Sequence, residues 1–154
     1  MAYAGFWLRV VAAIIDGVLI SIVMWVVSLA LNAGMMMDAA QMGGQMTEEQ
    51  ALAIAAAAMR NSVILFVVSL VIGIVYYCGM ESSARQATLG KMAVGVKVTD
   101  EAGNRISFGR AVGRYFAKFA STIILLIGFL MVAFTEKKQG LHDKLAGTLV
   151  VKKA

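Results

Sequence analysis

The stretch VVAAIIDGVLISIVMWVVSLAL, Val10–Leu31, decides the class of this chain. Its 22 residues carry one charge, Asp16. At about 1.5 Å per residue, a helix of that length crosses roughly 30 Å of hydrocarbon. A carboxylate at mid-span costs roughly 2.5–3.5 kcal/mol on insertion scales, so it is expected to face a partner, a cavity or an ion path. Arg9 precedes it by about two helical turns and projects from nearly the same face, which makes it the expected partner. The run is too long for the apolar core of a cleavable signal, carries a charge, and is followed by no small-residue cleavage pattern. It reads as a retained transmembrane helix, with Phe6 and Trp7 at headgroup level.

The composition agrees. Of 154 residues, 60% are hydrophobic and 15% charged, and the mean hydropathy is +0.81. Soluble domains average about 45–50% apolar and about 25% charged. One compact membrane domain, residues 1–154, is expected. Proline is absent and Cys78 is the only cysteine, which excludes proline kinks and an internal disulfide.

Outward from the first span, Asn32–Gln45 reads as a polar, Met-rich loop. Thr47-Glu48-Glu49-Gln50 matches a capping box, in which Thr47 accepts from the Gln50 backbone and Gln50 reaches back. A helix should start there, run through Ala51–Ala58, and continue as the second span, Ser62–Met80. Met92–Thr99 alternates like a strand, Asp100–Asn104 reads as a turn, and Arg105–Phe108 as a short return strand. Arg110, Arg114 and Lys118 recur every four residues, a basic stripe expected to face anionic lipid headgroups. Phe119–Thr135 is a third apolar run at the short limit for a span, and Thr148–Val151 another possible strand.

Basic residues orient the chain. The loop between spans one and two holds Arg60 against Asp38, Glu48 and Glu49, whereas Glu81–Lys118 holds seven basic residues. The N-terminus and the latter segment are therefore expected in the cytoplasm. The tail, with Lys137, Lys138, Lys144, Lys152 and Lys153, also favours that side. There is a local echo: Leu89-Gly90-Lys91 precedes one Val-rich strand, and Asp143-Lys144-Leu145 precedes another. Two strands pair only on one side, so the third apolar segment is expected to dip in and return, bending at Gly128. A third full crossing is the alternative.

Three motifs, taken in order, carry a family resemblance. Tyr3–Arg9 with Ala12–Asp16 resembles the opening helix of the RDD family of bacterial membrane proteins. Ala87–Lys91 followed by Gly95–Val98 resembles its middle motif, and Gly140–Val151 its closing motif. The three together embrace nearly the whole chain. By this resemblance Arg9 is the family arginine, Asp16 and Asp143 its aspartates, and the bacterial inner membrane the expected location. The family's role is loosely defined; the resemblance implies transport of an unidentified ligand, cation/proton exchange, or association with other membrane proteins.

For the site, the expected polar cluster is Arg9, Asp16 and Asp143, supported by Lys91, Arg114 and His142. Asp16 is either an ion or proton site, its pKa balanced between burial and Arg9, or half of a structural ion pair. Asp143 either folds back to Arg9 or Arg114 or caps a turn. Lys91 anchors at headgroups or pairs with a carboxylate. The Leu89-Gly90-Lys91 segment lacks the spacing of a phosphate loop. Met35, Met36, Met37, Met42 and Met46 offer thioethers for Cu(I), against the reading of a loop resting on the membrane. One histidine supports no zinc site. No hydrolase constellation is evident, so no enzyme, metal, cofactor or nucleic-acid partner is expected.

The expected fold is an all-α membrane protein, a small transmembrane helical bundle with two full spans, a third spanning or re-entrant segment and a short cytoplasmic β element. The leading functional reading is a small exchanger of monovalent cations for protons with Asp16 as ligand. It would work as a homo-oligomer through small-residue faces such as Ala13/Gly17, Ser69/Gly73 and Gly109/Gly113. The other reading is an accessory subunit that binds another membrane protein.

Overall fold

In the computed structural model, which describes residues 2–41, 46–123 and 127–153, the first apolar run forms α1, Phe6–Gln41. The helix outlasts the apolar stretch and takes up Asn32–Gln41, expected as loop. Ala, Leu and Met are strong helix formers, no proline intervenes, and the Asn32 side chain donates back to Ser28 O at 2.8 Å. Successive methionines on a helix point about 100° apart, so Met35, Met36 and Met37 do not converge as soft metal ligands would. Met42 lies outside the described residues.

The capping box is present. Gln50 N donates to Thr47 Oγ1 at 3.3 Å, and Thr47 N to Gln50 Oε1 at 3.0 Å. It opens α2, Glu48–Gly73, which continues through a π-helical turn, Ile74–Cys78, into α3, Gly79–Glu81. Both long helices are long and apolar enough to cross a membrane. Their side chains face outward over most of their length, as lipid-facing helices do. The chain divides into two compact units, Leu19–Ile72 and the remainder. Within the first, buried Asn61 donates to Asn32 Oδ1 at 3.1 Å, a polar tie between apolar helices.

The second unit is organised by the echoed segments. Helix α4, Leu89–Ala93, is followed after two residues by β1, Val96–Asp100. Helix α7, Leu141–Leu145, is followed after two residues by β2, Thr148–Lys152. In each arm a glycine at positive φ, Gly95 at 70° or Gly147 at 58°, ends the helix and admits the strand. The strands pair antiparallel, Val96 with Lys152 through Asp100 with Thr148. The N-terminus joins the far edge of β2, with Ala4 N donating to Val150 O at 2.9 Å and Lys152 N to Ala2 O at 2.8 Å. Ala4, Val96, Val98, Ile106, Ala111 and Val150 form the core beneath.

Two local expectations are corrected. The strand starts at Val96 rather than Met92, because Thr88 caps a helix over the preceding residues. The turn at Asp100–Asn104 forms, closed by Asp100 N on Asn104 O, but Arg105–Phe108 is not a strand. The β1 edge it would pair with is taken: Val98 N donates to Gln86 O at 2.7 Å, and Gln86 Nε2 to Val98 O at 3.2 Å.

The third apolar run is shared by two described helices. Helix α5, Phe108–Ile123, reaches into it, and α6, Ile127–Phe134, is in contact with α5. Gly128 is a helical residue of α6 and not the bend; residues 124–126 lie outside the described set. The strands that flank this segment, β1 and β2, pair with one another, the arrangement on which the re-entrant reading rests.

Candidate functional site

Helix α1 lies against both arms, touching each through one charged residue. Asp16 reaches the start of α4. It accepts from Tyr76 OH at 2.6 Å, Thr88 Oγ1 at 2.6 Å and Gly90 N at 2.7 Å. All three donors are neutral. The π turn presents Tyr76, and Thr88 is the helix cap, so the extra residue in the second span and the turn chemistry of the middle motif meet at one carboxylate. Gly90 is required there by space: a Cβ would overlap the Ala12 carbonyl and crowd Asp16 Cγ at 2.8 Å.

Arg9 reaches the start of α7. It donates to Asp143 Oδ2, to Lys138 O at 2.5 Å and to Ala4 O at 3.2 Å. The expected Arg9–Asp16 pair is therefore replaced by two contacts with different elements. Seven residues of helix separate the two side chains by about 10 Å along the axis, and each meets a nearer partner. Asp143 is both cap and ion-pair partner: it accepts from Gly140 N at 3.1 Å, from Arg9, and from Arg114 through Nε at 2.9 Å and Nη2 at 2.7 Å.

Arg114 is the bridge. Its Nη1 donates to Glu81 Oε2 at 2.6 Å, and Glu81 also pairs with Lys91, with Lys118 Nζ 3.7 Å away. The result is an alternating chain of charge, Lys91–Glu81–Arg114–Asp143–Arg9, buried between the arms. The basic stripe expected on α5 is thus divided. Arg114 is only 2% exposed and turned inward, Lys118 leans over the Tyr77 ring, and Arg110 alone of the three is exposed. Lys91 pairs with the Glu81 carboxylate. Similarly, Gly73 offers its bare face to Tyr115 of the same unit, whose hydroxyl a Cβ would overlap.

The electrostatics follow from burial and neighbours. Burial alone would raise the pKa of Asp143, but Arg114 and Arg9 outweigh it and hold the carboxyl well below the usual range. Burial lowers Lys91 to about 8 against the pull of Glu81. For Arg114, lost solvation is outweighed by Glu81 and Asp143, and its pKa rises. His142 is pushed down to about 3, by burial first, with Asp143 opposing and Arg114, Lys118 and Arg9 adding to the depression. It is neutral at ordinary pH. Its Nε2 lies 3.4 Å from Asp143 Oδ1, its ring lies beside Phe129, and its buried Nδ1 has no partner among the described residues.

The cluster borders a cavity of about 580 Å³. Arg9, Lys91, Arg114, Lys118, His142 and Asp16 supply its polar wall; Glu81 and Asp143 do not line it. No three of His, Cys, Asp and Glu converge among the described residues. Sequence reasoning found Arg9, Asp16, Asp143, Lys91, Arg114 and His142 and missed Glu81, Tyr76, Thr88 and Gly90. The signal for Glu81 was present: an acid directly after an uncharged span, with inward-capable cations four residues apart on α5.

Comparisons with known proteins give the chain's family. The RDD family model matches residues 3–147. An uncharacterized protein, YxaI, of Bacillus subtilis (strain 168) is 41% identical over 152 residues, 97% of each chain. An uncharacterized membrane protein, YteJ, of the same strain is 31% identical over 162 residues, covering 97% of this chain and 81% of that one. The proline-rich antigen of Mycobacterium leprae is 36% identical over 77 residues, 49% of this chain and 31% of that protein. No solved structure matches the chain.

Proposed function

This chain belongs to the RDD family of membrane proteins, and from that premise we propose that it binds an anionic ligand at its charged cavity. One observation carries the reading: the wall presents four cations and a single carboxylate. That carboxylate, Asp16, already accepts three hydrogen bonds. The two acids that offset the cations stand behind them, fully engaged. A sodium or potassium ion entering the cavity would meet like charge and no free carboxylate oxygen, whereas an anion would meet several charge-assisted donors. The reading favours anion recognition over exchange of monovalent cations for protons. His142 contributes a neutral ring whose Nδ1 has no partner among the described residues.

Melting of the solubilised full chain tests this. Inorganic phosphate at tens of millimolar should raise the melting temperature above that in chloride of equal ionic strength, while Na⁺, K⁺ and Li⁺ are interchangeable. Proteoliposomes should show no cation-dependent proton flux. Flux that vanishes in Asp16→Asn, without any phosphate effect on the wild type, would restore the exchanger reading.

A further inference from the structure

We infer that the anion this cavity takes is the phosphate headgroup of a membrane lipid, with the acyl chain lying along the cavity's apolar wall. This rests on the reading above and narrows it. The first ground is size. About 580 Å³ is the room of about twenty waters at roughly 30 Å³ each, and it lies within the range of about 300–1,000 Å³ typical of small-molecule sites. A free phosphate would leave most of it empty. The second ground is polarity. Away from the cations the wall is Phe6, Val10, Tyr115, Phe129, Leu130 and Val132. A small hydrated anion gains nothing from such a surface, while a hydrocarbon chain gains about 0.8 kcal/mol per buried CH₂ relative to water.

The third ground is access. Leu130 lines the cavity and is itself 46% exposed; it sits on α6 with Phe134, which is 87% exposed. On α5, Phe116 and Phe119 are exposed as well. In a membrane protein such a rim is wetted by lipid rather than by water. An amphiphile can therefore enter from the bilayer with its chain still solvated by hydrocarbon. The head meets Arg9, Lys91, Arg114 and Lys118, matching charge to charge, and His142, whose buried Nδ1 has no partner among the described residues, lines the same cavity.

The test compares phosphatidylglycerol with phosphatidylcholine of identical chains, and with inorganic phosphate, as ligands of the delipidated full chain. Native mass spectrometry and thermal melting are the readouts. Phosphatidylglycerol should bind at least tenfold tighter than either comparator. Lys118→Gln should weaken it by about tenfold, the loss of one charge-assisted hydrogen bond. Leu130→Trp, which fills the mouth without touching a charge, should abolish lipid binding and spare the phosphate shift. Should Leu130→Trp bind phosphatidylglycerol like the wild type, surface lysines and not the cavity hold the lipid, and the inference falls. If phosphate stabilises the chain but phosphatidylglycerol does no better, the anion site stands without its lipid. If neither binds, both readings fall.

Discussion

The α4–β1 and α7–β2 arms share one backbone and differ in how their helix starts are held. Each has a five-residue helix, two linking residues with glycine second, and a five-residue strand. The hydrogen bonds match too: Met92 N to Thr88 O and Val94 N to Gly90 O in one arm, Lys144 N to Gly140 O and Ala146 N to His142 O in the other. Yet the first arm is gripped by an aspartate from outside, Asp16, through neutral donors. The second supplies its own aspartate, Asp143, and that residue is gripped by arginines. Corresponding third helix positions carry opposite charge, Lys91 and Asp143, and Glu81 with Arg114 closes the circuit between them. Equal frames thus accommodate unequal chemistry, because backbone geometry at a helix start needs only an acceptor, whatever charge surrounds it.

The sharpest way to break this comparison is to remove each aspartate. Asp143→Ala leaves Arg9 and Arg114 buried beside a void and should cost about 3–5 kcal/mol, enough to lose the monodisperse species on size-exclusion chromatography. Asp16→Asn keeps the shape and turns one acceptor into a donor facing donors; its cost should be smaller, about 1.5–3 kcal/mol by chemical denaturation. Equal losses would mean that the charge state of the partners does not matter.

Acid should separate the arms next. The lowered pKa of His142 means that the unfolded chain binds a proton that the folded one refuses between pH 6.5 and about 3. Stability therefore rises with pH in that window, and going from pH 7 to 5 should cost about 1–2 kcal/mol. Asp143 has the opposite origin with the same direction: its depressed pKa contributes stability that is complete above about pH 4 and lost as pH falls further. His142→Gln should flatten the loss between pH 7 and 5 in a melting series; an unchanged slope would assign it elsewhere. The smallest effects should be the most alike. Gly95→Ala and Gly147→Ala meet no neighbouring atom within 4 Å, so each should cost only the left-handed backbone strain, about 1–2 kcal/mol. Values differing by more than that would show that the arms are not equivalent frames.

Much of this was legible in the residues. Thr47 and Gln50 announced the second helix because capping is a four-residue matter. The echo of the two arms was visible as pattern, but the short helices and the glycines at positive φ that end them were not. The partner of Asp16 was not legible. Arg9 was the nearest cation in sequence and on nearly the same helical face, but Tyr76, Thr88 and Gly90 come from 60 to 74 positions away. The return strand after the 100–104 turn failed for a similar reason, since Gln86, a residue with positive φ, had already taken the edge of β1.

By itself the sequence determined what depends on composition and short spacing. It set two apolar helices, the capped start of the second, and a lone carboxylate that could not face lipid. Tertiary structure alone decided which charges meet. A buried ion is stabilised by whichever donor or opposite charge comes within about 3 Å, and that choice depends on how the arms pack against α1, not on distance along the chain.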